Sequence, residues 1–132
     1  MDDEIALVNA FILPTNRPRF TKFLSDPKRR PKILKRLYHL RDLDPRFLVE
    51  IQPSDQNSKA IAALLIERGA REQCHLISSD NELDGRDLPL IDALDRIIGF
   101  GEGTLVSCIP GLLGYFEGEG PSHRFILDRA AI

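Results

Sequence analysis

Apolar residues recur at helical spacing through the first third of the chain, then give way to short blocks of strand, turn and helix. Ile5, Leu7, Val8, Phe11 and Ile12 make a first helical stripe, which Asp2 and Asp3 can cap and Pro14 ends. Asn16 and Pro18 suit a cap and an early helical position for a second short helix carrying Phe20, Phe23 and Leu24. Ile33, Leu34, Leu37 and Leu40 predict a third helix, starting between Pro27 and Pro31 and running to about Arg41. Lys32, Lys35, Arg36 and His39 fall on its other face. Asp42 to Pro45 closes this helical part.

From Phe47 the period changes. Phe47 to Ile51 is β-rich and bounded by Pro45 and Pro53, as a strand should be. Ser58 is placed to cap a helix with Ile61, Leu64, Leu65 and Arg68 on one stripe and Gly69 just past its end. Cys74 to Ser79 reads as the next strand. Strand, helix and strand make one βαβ unit, which predicts two parallel neighbours joined by a right-handed crossover. After the polar segment 80–87, Leu90, Ile91, Leu94, Ile97 and Ile98 define another helix between Pro89 and Gly99. Thr104–Ile109, Leu112–Glu117 and His123–Asp128 then form a three-stranded antiparallel meander, with Pro110-Gly111 at the centre of a type II turn. The expected fold is therefore α+β (mixed α/β), with about five strands in one mixed sheet. An N-terminal helical segment covers one face or edge.

Length and composition fit that picture. A chain of 132 residues suits one domain, residues 1–132, and 42% hydrophobic with 29% charged residues is ordinary for a globular protein. The start, Met-Asp-Asp-Glu, is acidic where an export signal begins basic, and no apolar run approaches a membrane span. A soluble, cytoplasmic protein with no membrane partner is expected, its Cys74 and Cys108 reduced and buried. The net charge of −2 hides a division. Residues 1–46 are a basic helical part of net +5, and residues 47–132 an acidic α/β part of net −7. Residues 17–41 alone hold ten Lys/Arg against Asp26.

Two groups of residues are candidates for function. Arg29, Arg30, Lys32, Lys35, Arg36 and His39 would present a positive face to a polyanion, because each neutralised phosphate releases a counterion. The bland counterpart is a solvated face, or one neutralised internally or across a dimer by acids such as Asp92, Asp95 or Glu102. Ser79, Asp80, Asp84, Arg86 and Asp87 would line a polar crevice together with Ser54, Asp55 and Asn57, beyond the ends of the two parallel strands. Paired carboxylates there can divide acid and base roles, although Asp-Gly also makes an ordinary tight turn. Cys74 and His75 alternate on one strand and so face opposite ways, while Cys108 and His123 have a route to each other across the meander. The cysteines and His39, His75 and His123 match no zinc spacing, and no metal or cofactor is expected. Gly99–Gly103 runs from helix into strand, the reverse of a phosphate-binding loop.

These features favour a non-enzymatic binding or regulatory module, engaging nucleic acid or an acidic protein through its basic helix. A small hydrolase or transferase using the carboxylates of the 80–87 loop is the alternative. A structural protein forming a homodimer is the third.

Overall fold

The computed structural model describes residues 2–131, with the side chains of Asp2 and Leu40 outside that description. The expected roles of Asp2 as a cap and Leu40 as an anchor therefore lie outside the described residues. The chain is a mixed α+β fold of three layers, a six-stranded sheet between two helical layers.

The first layer holds α1 (Asp2–Phe11), α2 (Arg17–Leu24) and α3 (Arg30–Leu34). Leu7, Val8, Phe11, Phe20, Ile33 and Leu37 pack there against Ile77, Leu105, Phe116 and Leu127 of the sheet. The expected third helix is much shorter than its periodicity suggests. After Leu34 it tightens into a 3-10 turn over Lys35–Tyr38, and His39 is extended. Two forces end it. Backbone pairing of Ile12 with Leu43 draws the chain back to the end of α1, and the Leu37–Tyr38 backbone lies so close to Gly103 that a Cβ there would sit 2.6 Å from it.

The sheet contains β1 (Leu48–Glu50), β2 (Gln73–Ser78), β3 (Asp87–Pro89), β4 (Thr104–Ile109), β5 (Leu113–Glu117) and β6 (Arg124–Asp128), in the order β1-β6-β5-β4-β2-β3. On its far side lie α4 (Ser58–Glu67) and α5 (Leu90–Ile97). Asn57, one residue before the expected Ser58, caps α4 by accepting a hydrogen bond from the Ala60 N–H. Ile61, Leu65, Leu94 and Ile97 bury their stripes against Cys74, Leu76, Val106 and Tyr115. Each such fully buried large apolar side chain stabilises the fold by roughly 1.5–3 kcal/mol.

The expected parallel pair is corrected. Every hydrogen-bonded pair is antiparallel. β1 and β2 do run the same way, but β6, β5 and β4 stand between them. A helical crossover sets the direction of the second strand, not its neighbour, and the meander with its short turns takes the places between. The meander itself is as expected, with Gly111 of its first turn at φ +74°. The extra strand is β3, which folds back on β2 as an edge. Pro89 closes it at a position where a missing N–H costs nothing.

Candidate functional site

One buried ionic cluster joins four elements. His75 projects from β2 towards α1, on the face opposite Cys74, as alternation along a strand requires. Its Nε2 lies 2.7 Å from Glu4 Oε2, and its Nδ1 lies 2.7 Å from Asp87 Oδ1 on β3. Glu4, in the first turn of α1, is held from its other side by both Nη atoms of Arg30, at 2.7 and 2.9 Å. Arg30, at the start of α3, donates again to Asp84, at 2.7 and 2.9 Å. Asp84 also accepts the Ser78 N–H at 3.0 Å. One guanidinium thus clamps two carboxylates in a bidentate manner, the geometry that suits Arg and not Lys.

These contacts set the charges. Burial pushes the Glu4 carboxyl up, but hydrogen bonds from His75 and Arg30 outweigh it and hold the group at about 2. The hydrogen bond to Glu4, against burial and aided by Asp87, raises His75. Both ring nitrogens face a carboxylate, an arrangement that favours the protonated imidazole. His75 also stands between two clefts. One, of about 290 Å³, is bordered by Glu4, Val8, Leu24 and Arg30. The other, of about 340 Å³, is bordered by Asp3, Arg71, Asp87, Ser107 and Cys108. The carboxylates of Asp3 and Asp87 and the His75 ring present ligand atoms within 4.8 Å of one another.

The crevice residues are scattered by the antiparallel topology. The loops after β1 and β2 sit at one end of the sheet but four strand positions apart, roughly 19 Å at the usual spacing, so Ser54, Asp55 and Asn57 do not meet Ser79 and Asp80. Ser79 donates to Glu102 at 2.6 Å, and Asp80 accepts the Glu82 N–H to organise the turn. Arg86 reaches only the Glu82 carbonyl. Asp84 and Asp87 join the cluster around Arg30 and His75, on its two sides.

The basic segment divides in the same way. Arg30 does not face outward but into the cluster. Arg36 is drawn to the buried Asp42 by bonds of 2.6 and 3.1 Å. Arg29 leans on Asp26 at 3.5 Å and His39 on Glu119 at 3.9 Å, all four in partial or full contact with solvent. Lys32 and Lys35 are exposed. Within the chain, the acids that pair with this face are Glu4, Asp84, Asp42 and Asp26 rather than Asp92, Asp95 and Glu102.

Both thiols are free and buried. Burial pushes Cys74 up to about 12 and raises Cys108 as well, which makes both poor nucleophiles. The Cys108–His123 pairing is corrected: β5 separates their strands, and Cys108 lies near the Leu113 end of β5 while His123 packs on Gly118 past the other. Glu4 and the role of Arg30 escape a reading of the sequence, because the pairs span 71 and 54 residues and leave no local pattern. No helix among the described residues is long and apolar enough to cross a membrane. No family model matches the chain, and neither the curated proteins nor the solved structures yield a match.

Proposed function

We propose that this protein is a non-enzymatic binding module of the cytoplasm whose basic outer layer engages a polyanion, nucleic acid foremost. The observation that carries the reading is what remains exposed once the internal pairs are set aside. Arg19, Lys22, Lys28, Arg29, Lys32, Lys35 and Arg41 are all exposed on the α1–α3 layer. The guanidinium groups of Arg19 and Arg29 both lie over the Phe23 ring, at 5.3 and 5.8 Å. Such stacking fixes two long cations with little loss of charge. Arg30 and Arg36 leave the set of contact residues and become its supports.

The test is salt-dependent binding to a duplex oligonucleotide and to heparin. Affinity should fall steeply with salt, and Lys32→Glu/Lys35→Glu should reduce the log–log slope by roughly two without changing the melting temperature. A slope unchanged by this double substitution sinks the reading. Replacing Arg36 would confuse the result, because a carboxylate there would face buried Asp42.

The hydrolase or transferase reading keeps one supporting observation, the Asp87–His75 pair beside a cleft. Against it, His75 is engaged at both ring nitrogens, so a proton-transfer role requires one of those bonds to open. A homodimer is the third reading, with exposed Ile66 and Ile91 bordering a shared groove on the α4–α5 side.

A further inference from the structure

We propose that Asp3, Asp87 and the Nδ1 atom of His75 form a binding site for a zinc-like transition-metal dication at the mouth of the cleft beside β2 and β3. The site is independent of the basic face and uses none of its exposed cations. One imidazole nitrogen and two carboxylate oxygens make a donor set of the borderline class, suited to Zn²⁺ and its neighbours and poorly matched to Mg²⁺ or Ca²⁺, which take oxygen. Three protein ligands leave at least one coordination position open, and here it faces the cleft.

The surroundings of the imidazole are what distinguish this set from a chance meeting of surface acids. His75 is only 8% exposed, and its ring cannot rotate freely because Glu4 Oε2 accepts a hydrogen bond from Nε2 at 2.7 Å. A carboxylate behind the ring fixes the tautomer, directs Nδ1 outward and raises its basicity, the usual outer support of a metal-bound histidine. Glu4 is itself immobilised by the Arg30 fork. The buried side of the site is therefore set before any ion arrives.

The outer side is adjustable. Ligand oxygens and nitrogens around zinc sit about 2.0–2.2 Å from the metal and hence about 3.3 Å from one another. The three groups already lie within 4.8 Å; the His75–Asp87 pair at 2.7 Å has to open slightly, which the 70% exposed Asp87 side chain allows, and Asp3 has to draw in. Without a metal, a proton on Nδ1 occupies the space between His75 and Asp87. Charge points the same way. Asp3, Glu4, Asp84 and Asp87 surround Arg30, Arg71 and one imidazole, so even the protonated ring leaves the cluster one negative charge in excess. A dication in place of that proton relieves the excess.

The experiment is calorimetric titration of the metal-stripped protein with Zn²⁺, paired with the visible absorption of the Co²⁺ form. One ion per chain is expected, with nitrogen-15 chemical shifts showing the change at His75 Nδ1 while Nε2 stays protonated. Asp3→Asn/Asp87→Asn should abolish binding yet retain the far-ultraviolet circular dichroism of the parent. Glu4→Gln should weaken it about ten- to a hundredfold, as loss of an outer support does. If the paired substitution unfolds the chain, Asp87→Asn alone decides the matter, its affinity for Zn²⁺ expected to fall likewise. Absence of stoichiometric Zn²⁺ binding overturns the proposal. So does parent-like affinity in the Asp variants, which would put the ion at another histidine, and so does equal preference for Mg²⁺, which would exclude the imidazole as a ligand.

Discussion

The sheet carries two buried ionic clusters, and they differ in balance and in reach. On the α4–α5 face, Glu117 is 1% exposed and accepts from Arg124 Nε at 3.0 and 3.1 Å, from Tyr115 Oη at 2.6 Å and from the Gly99 N–H at 3.1 Å. Glu117 and Arg124 are cross-strand partners in the β5–β6 register. This pair is local, one charge of each sign, with every oxygen satisfied. On the other face, Glu4, Arg30, His75, Asp84 and Asp87 come from α1, α3, β2, the β2–β3 turn and β3, carry surplus negative charge and open on two clefts. A closed and balanced pair has fold stability as its use; a cluster whose surplus carboxylate, the exposed Asp87, stands at the mouth of a cleft keeps a place for a cation. That contrast is why the second cluster, and not the first, is the place for chemistry.

Removing each cluster's arginine breaks the comparison open. Arg124→Ala leaves Glu117 charged, buried and with no cation, and should destabilise the protein by about 3–5 kcal/mol in urea unfolding. It is the largest effect expected. Arg30→Ala deprives two carboxylates of their partner, yet Glu4 keeps His75 and borders a cleft that water can enter, and Asp84 keeps the Ser78 N–H. Its expected cost is smaller, about 2–3 kcal/mol, below the range for a fully buried broken pair. A larger loss for Arg30→Ala than for Arg124→Ala would reverse the comparison, making the open cluster the main structural lock.

The two clusters also show what a sequence can reveal. The apolar stripes of α4 and α5 and the Pro110-Gly111 turn are local patterns, and each forms where its period or turn chemistry places it. Neither β1 nor β2 encodes which strand stands beside it, so adjacency is not legible even though the common direction is. β3 is hidden because Asp87-Leu88-Pro89 is too short for a period and contains a proline. Asp84 and Asp87 are legible as loop carboxylates. Their partners Arg30 and His75 are visible only as members of other patterns, a basic helix and a strand, although Arg30, the first residue of α3, points inward from the turn that precedes it. Glu4 carries no signal at all, since its meaning depends on the docking of α1.

A third polar group sharpens the comparison from the solvent side. Glu102 accepts from Ser79 Oγ at 2.6 Å and from Tyr38 Oη at 2.8 Å, tying the basic segment to the loop before β4. The Ser79 hydroxyl first, and the Tyr38 hydroxyl second, hold the Glu102 carboxyl below its usual 4.5. A carboxyl lowered in the folded state contributes stability above its unfolded value, and that contribution is lost as pH falls through the folded one. Ser79→Ala should therefore cost stability near neutral pH and cost progressively less as pH drops below 4.5. Because Glu102 stays largely in water, screening reduces the effect to about a few tenths of a kcal/mol. Thermal melts of parent and variant across that range measure it. A loss that persists undiminished in acid would mean that Ser79 acts through packing, and that an open hydrogen-bonded carboxylate and a closed one differ less than the two clusters suggest.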